Sequence, residues 1–164
     1  MRYILFIVAV LIFTSCRNEN GNILKGAWLV EEIHWITKDT TYSINKAQPG
    51  IFIISDSVYS FIWTPIKEKR KSFKKLATPT TEEIIYGFQS IVLNAGTYQM
   101  TDSVLTINAI VAKVPGFEGG QQTFSYQIND DTLQLKMVDE TYPNGAKPAW
   151  FGKLETQFVM SRLD

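Results

Sequence analysis

The sequence predicts an all-β domain: an antiparallel up-and-down barrel or a sandwich of about eight strands, with one amphipathic helix. Three observations predict it. Apolar residues recur with a period of two along most of the chain, clusters of Asp, Ser, Asn and Thr interrupt that period at short intervals, and one segment alone carries a helical stripe. At 164 residues, 45% of them apolar, the chain fits one domain with a real core. Sixteen basic residues balance sixteen acidic ones. That balance argues against a protein built to neutralise nucleic-acid phosphates.

The first fifteen residues stand apart from the fold. Arg2 precedes an unbroken apolar run, Ile4 to Phe13, which reads as a signal peptide over residues 1–15 and falls short of the roughly 20 residues a bilayer span requires. Phe13-Thr14-Ser15-Cys16 resembles the lipobox of bacterial lipoproteins. The resemblance implies that Cys16 carries acyl chains and anchors the protein in the bacterial cell envelope, with the outer membrane as the expected site. Cys16 is also the only cysteine, so it has no intrachain disulfide partner. Residues 16–23, the lipidated cysteine and a polar tether, then lead into a domain over residues 24–164.

The elements follow in order. Leu24 to Ile36, LKGAWLVEEIHWI, is the first strand. Ile51 to Ile54 and Val58 to Trp63 flank the turn Asp56-Ser57 as a hairpin, and Thr97 to Met100 and Val104 to Lys113 flank Thr101-Asp102-Ser103 in the same way. Thr123 to Ile128 and Leu133 to Val138 flank Asn129-Asp130-Asp131, and Glu155 to Arg162 closes the chain. Between the second and third groups, Thr80 and Glu83 form a capping box, Ile84, Phe88, Ile91 and Val92 share a stripe, and Gly96 is placed to end a helix of about three turns. Ile91-Val92-Leu93 also reads as the start of a strand. Two loops stand out: Lys67 to Lys75, with six positive charges and one negative, and Thr141 to Gly152, with two prolines and an exposed-looking Trp150.

Gly26-Ala27-Trp28 at the head of the first strand, followed by many strands, one helix and an arginine near the end, resembles the lipocalins. The bacterial lipocalin-like form is the closer match. It is carried by Leu24-Lys-Gly-Ala-Trp28, Pro49-Gly50-Ile-Phe-Ile-Ile-Ser, Thr81-Glu-Glu-Ile and Ala95-Gly-Thr-Tyr98, while a second lipocalin motif, Thr-Asp-Tyr, is missing. The resemblance implies a lipocalin-like barrel that holds a small hydrophobic or amphipathic ligand. It also assigns structural roles to Gly26, which turns the chain, to Trp28, which plugs the narrow end, and to Arg162, which covers the indole.

Strict alternation sets the remaining expectations. If Trp28 points inward, so do Val30, Glu32 and His34, while Leu29, Ile33 and Trp35 face out and require the helix as a cover. His34 is the only histidine, and beside Glu32 it is a candidate ligand contact or general base. The predicted ligand-binding lining is Glu32, His34, Tyr59, Phe61, Trp63, Tyr98, Phe124, Tyr126, Met137 and Phe158, and the same aromatic residues equally suit a filled core. No metal-ligand spacing, phosphate loop or dinucleotide fingerprint is present, so neither a metal nor a cofactor is expected. Two other readings stay open. One is a barrel enzyme of the isomerase, dehydratase or cyclase type that uses Glu32 and His34, and the other is a structural or interaction lipoprotein that displays its loops to a partner.

Overall fold

The computed structural model describes residues 22–163. The signal segment, Cys16 and most of the tether lie outside the described residues. Nine strands and one helix follow one another: β1 Gly26–Ile36, β2 Thr41–Ile44, β3 Ile51–Ile54, β4 Val58–Trp63, α1 Thr81–Gln89, β5 Val92–Met100, β6 Val104–Ala112, β7 Gln121–Asn129, β8 Thr132–Thr141 and β9 Glu155–Leu163. From β3 onward each strand pairs antiparallel with the next, and β9 returns to pair with β1 and close the barrel. β3 lies beside Gly26–Leu29 and β2 beside Ile33–Ile36 on the same edge of β1. The two therefore act as one interrupted stave, and the closed antiparallel barrel has eight staves.

Local chemistry sets the turns where expected. Asn129 pairs with Thr132 across a two-residue turn, and Asp130 takes the left-handed conformation there, at φ 51°. Asp tolerates that region because its short side chain bonds locally.

One end of the barrel is sealed. Gly26 adopts φ +131°, and a Cβ there would lie 3.1 Å from Arg162 Nη1. Trp28 is fully buried, and its Nε1 donates to Leu24 O at 2.8 Å. The Arg162 guanidinium lies 4.1 Å above the indole ring centre and donates to the carbonyls of Lys25 and Ile23. The middle of the barrel is filled. Phe61 packs against Phe52 and Phe158 at centroid distances of 4.9 and 5.1 Å, and Trp63 meets Phe158 edge-on at 4.9 Å. Tyr59, Phe124, Tyr126 and Met137 are buried in the same core, with Trp63 and Tyr98 half-buried against it. Of the two possibilities the aromatic lining left open, these residues form a packed core.

Three β-bulges reset which side chains face inward. On β1 the register slips between Val30 and Glu32, so Glu31 is the extra residue. Ile110 plays the same part on β6, opposite Ala95 and Gly96, and Val138 does so on β8, opposite Thr123 and Phe124. Each extra residue shifts alternation by one beyond it. Ile33 is therefore fully buried and Trp35 packs on the core, whereas Glu32 and His34 lie on the outer wall. This corrects the expectation that Glu32 and His34 line the interior. It also removes any need for a helix over Ile33 and Trp35.

The helix is shorter than expected and serves elsewhere. The capping box forms as read: Thr80 Oγ1 accepts from Glu83 N, and the Glu83 carboxylate accepts from Thr80 N. The backbone N–H groups of Lys74 and Thr80, both donating to the Glu83 carboxylate, hold it below the usual range. The helix ends at Gln89, Val92 opens β5, and Gly96 lies inside that strand rather than ending the helix. None of the helical residues is buried, and Ile84 and Phe88 are about half exposed. The basic loop runs along this helix, where Arg70 Nε donates to Ser90 Oγ, Lys71 N to Tyr86 Oη, and the Phe73 ring lies where a Gly87 side chain would otherwise sit. Trp150, expected to be exposed, packs against the core.

A cleft at the open end of the barrel

Opposite the sealed end, the barrel opens into a cleft of about 510 Å³. Its walls come from the start of β5, the end of β6, the β6–β7 loop, and the end of β8 with the segment that follows. Val92, Leu93, Val114, Pro115, Phe117 and Pro143 supply an apolar surface. The Phe117 and Tyr142 rings meet edge-on with centroids 6.2 Å apart and join the two loops at the rim. The volume lies within the roughly 300–1,000 Å³ range of small-molecule sites, which are mostly apolar with a few placed polar groups.

Those polar groups are Asn94, Gln122 and Glu140. Asn94 shares the inward face with Phe61 and Ala112 through strand pairing, and Gln122 does so with Ile107. Glu140 faces inward because the Val138 bulge turns it there. Asn94 Nδ2 donates to Gln122 Oε1 at 3.1 Å, and Gln122 Nε2 donates to Glu140 Oε2 at 2.6 Å. Asn94 is 5% exposed, and its Oδ1 is buried with no partner among the described residues.

Burial pushes the Glu140 carboxyl above the usual glutamate range, and the charge of Asp139 adds to this, while the Gln122 hydrogen bond opposes it. Ionised Glu140 therefore opposes folding. The cost is absent in acid below the ordinary glutamate range, where folded and unfolded chains are both protonated, and it is complete above the raised folded value. Replacing Glu140 with Gln keeps the hydrogen bond and removes the charge. The variant is expected to melt at a higher temperature than the parent near neutral pH, with the gain vanishing in acid. Thermal melts over a pH series test this, and an advantage that is constant with pH would refute the charge explanation.

None of the predicted ligand-binding residues lines this cleft. Tyr59, Phe61, Phe124, Tyr126, Met137 and Phe158 lie in the packed core below it, and Tyr98 is tied down near the sealed end, where its hydroxyl donates to Ser55 O at 2.6 Å. Glu32 and His34 are brought together as expected, with His34 Nε2 3.0 Å from Glu32 Oε2, and His34 Nδ1 lies 2.8 Å from Ser43 Oγ. The three form a row on the outer wall, on β1 and β2, whereas the cleft belongs to β5 through β8. Among the described residues no group of three or more His, Cys, Asp or Glu is placed to hold a metal ion. Asn94 and Gln122 were within reach of sequence reasoning, as polar residues in phase with Tyr98 and Phe124. Glu140 was not, because Val138 breaks its phase.

A sequence model of the lipocalin-like domain family matches residues 25–158. No curated protein matches the sequence. Among solved structures, the chain is similar to an uncharacterized protein from Bacteroides eggerthii at 12% identity, with 85% of this chain and 99% of that chain covered and a TM-score of 0.43.

Proposed function

Because this chain belongs to the lipocalin-like domain family, we propose that it binds a small amphipathic molecule in the mouth of its barrel, held at the bacterial envelope by a lipid on Cys16. The observation that carries the reading is the mouth cleft itself, an apolar cup whose floor holds three convergent polar side chains. The packed aromatic core below leaves the mouth as the place for a ligand. The described chain enters β1 at the sealed end, opposite the mouth.

Filling the cleft tests the binding. Ala112 faces the cleft through its pairing with Asn94, and Ala112→Trp places an indole there. The neutral fluorescent probe N-phenyl-1-naphthylamine is expected to bind the full chain saturably. The variant should bind it at least about tenfold more weakly, because excluding even roughly 60 Å² of apolar contact costs that much affinity. Equal binding by a folded variant would rule out the mouth as the site. The anchor has its own test: an alkyne-tagged fatty acid fed to expressing bacteria should label the parent protein and leave Cys16→Ala unlabelled. Equal labelling of both would refute lipidation at Cys16.

A further inference from the structure

We infer that the mouth selects a ligand whose polar head donates hydrogen bonds, an amine or similar N–H donor on an apolar body, and discriminates against carboxylates. The inference rests on the mouth-binding reading above and adds the chemistry of the head group.

The direction of the hydrogen-bond chain fixes this chemistry. An ionised carboxylate only accepts, so Glu140 compels Gln122 to turn its amide nitrogen toward it, 2.6 Å away. Gln122 then presents its oxygen to Asn94, which must answer with its own nitrogen at 3.1 Å. The polarity set at Glu140 passes along two amides and leaves Asn94 Oδ1 over, a buried acceptor with no donor among the described residues. Buried polar groups are nearly always paired, so this one calls for a donor, which a ligand head supplies once the Asn94 side chain, part of the cleft wall, shifts to admit it. Tyr59 Oη likewise has no partner among the described residues, but its ring is buried in the aromatic core against Phe52, away from the cleft.

The cationic side chain at the cleft does not reverse the selection. Lys113 lines the wall, yet its ammonium donates to Phe88 O and Ile91 O and lies 4.2 Å from the Phe88 ring centre, committed to the end of the helix. A carboxylate head would therefore meet an acceptor at Asn94 and a like charge at Glu140. A donor head completes the chain.

Displacement of N-phenyl-1-naphthylamine from the full chain at mildly alkaline pH tests the inference with three probes of equal tail: decylamine, decyltrimethylammonium and decanoate. Decylamine is expected to displace the probe at least about tenfold more effectively than decanoate, the scale of one charge-assisted hydrogen bond. It should also surpass decyltrimethylammonium, which has the same charge and no N–H. Parity with decyltrimethylammonium, or a preference for decanoate, overturns the inference and leaves mouth binding intact. If none of the three displaces a bound probe, the amphiphile-binding reading falls and the inference with it. Glu140→Gln frees the amide chain to reverse, and Asn94→Leu removes the unpaired acceptor at similar volume. In Glu140→Gln the preference for amine over acid should shrink to within about twofold. In Asn94→Leu, which keeps the Glu140 charge, the preference for decylamine over decyltrimethylammonium should shrink to within about twofold. Persistence of the parent's preferences in both variants would overturn the inference.

Discussion

Trp28→Ala is expected to cost about 3–5 kcal/mol of folding stability, the range for truncating a fully buried large aromatic. The indole is inaccessible to solvent, its N–H is satisfied by Leu24 O, and Arg162 lies over its face. Removing it empties the sealed end and leaves the guanidinium above a void. The contact between Arg162 and the ring accounts for about 0.5–2 kcal/mol of this, so Arg162→Ala should destabilise less than Trp28→Ala. Urea unfolding of the parent and the two variants gives the comparison. A loss below about 1 kcal/mol for Trp28→Ala would show that the sealed end does not hold the barrel together.

Gly96→Ala is expected to be as damaging, for a backbone reason. A Cβ at this position would lie 2.0 Å from Asn108 O and 2.7 Å from Ile110 N, both main-chain atoms at the β6 bulge. Neither atom can retreat as a side chain does, so β5 and β6 must separate. The expected loss is at least about 3 kcal/mol. Because Asn94 and Ala112 lie just beyond the bulge, the surviving folded protein should also lose affinity for a probe at the mouth. Gly87→Ala is the contrast. Its Cβ meets only the ring of Phe73, in an exposed helix, and its effect should stay within about 1 kcal/mol. Similar losses for both glycines would refute the assignment of Gly96 to the bulge.

Gly96 also illustrates how far local pattern carries. A glycine after an amphipathic stripe reads as a helix stop, and only the pairing of β5 with β6 shows it as the residue that admits a bulge. His34 illustrates the same limit. Its pairing with Glu32 was legible, because residues two apart on a strand share a face. Which face they share was not legible, because Glu31 sits as an extra residue between them and Trp28. The hairpins depend on short-range chemistry alone, and the turns at Asp130 and Thr101 fall where Asp, Asn and Thr announce them.

The sequence by itself determined the strands and their hairpins, because the period of two makes strands and the turn residues set their lengths. The resemblance carried by Gly26-Ala27-Trp28 and Arg162 implied the barrel and its sealed end. Only the tertiary structure decided what the barrel encloses and where it opens. Side chains alternate with a period of two, so a single extra residue exchanges inside for outside. The bulge at Glu31 arises from hydrogen-bond register with β9, distant in sequence. Those at Ile110 and Val138 arise from register within the β5–β6 and β7–β8 hairpins, which local pattern does not specify. That register moved Glu32 and His34 to the outer wall and set Glu140 beside Gln122 and Asn94 in the mouth.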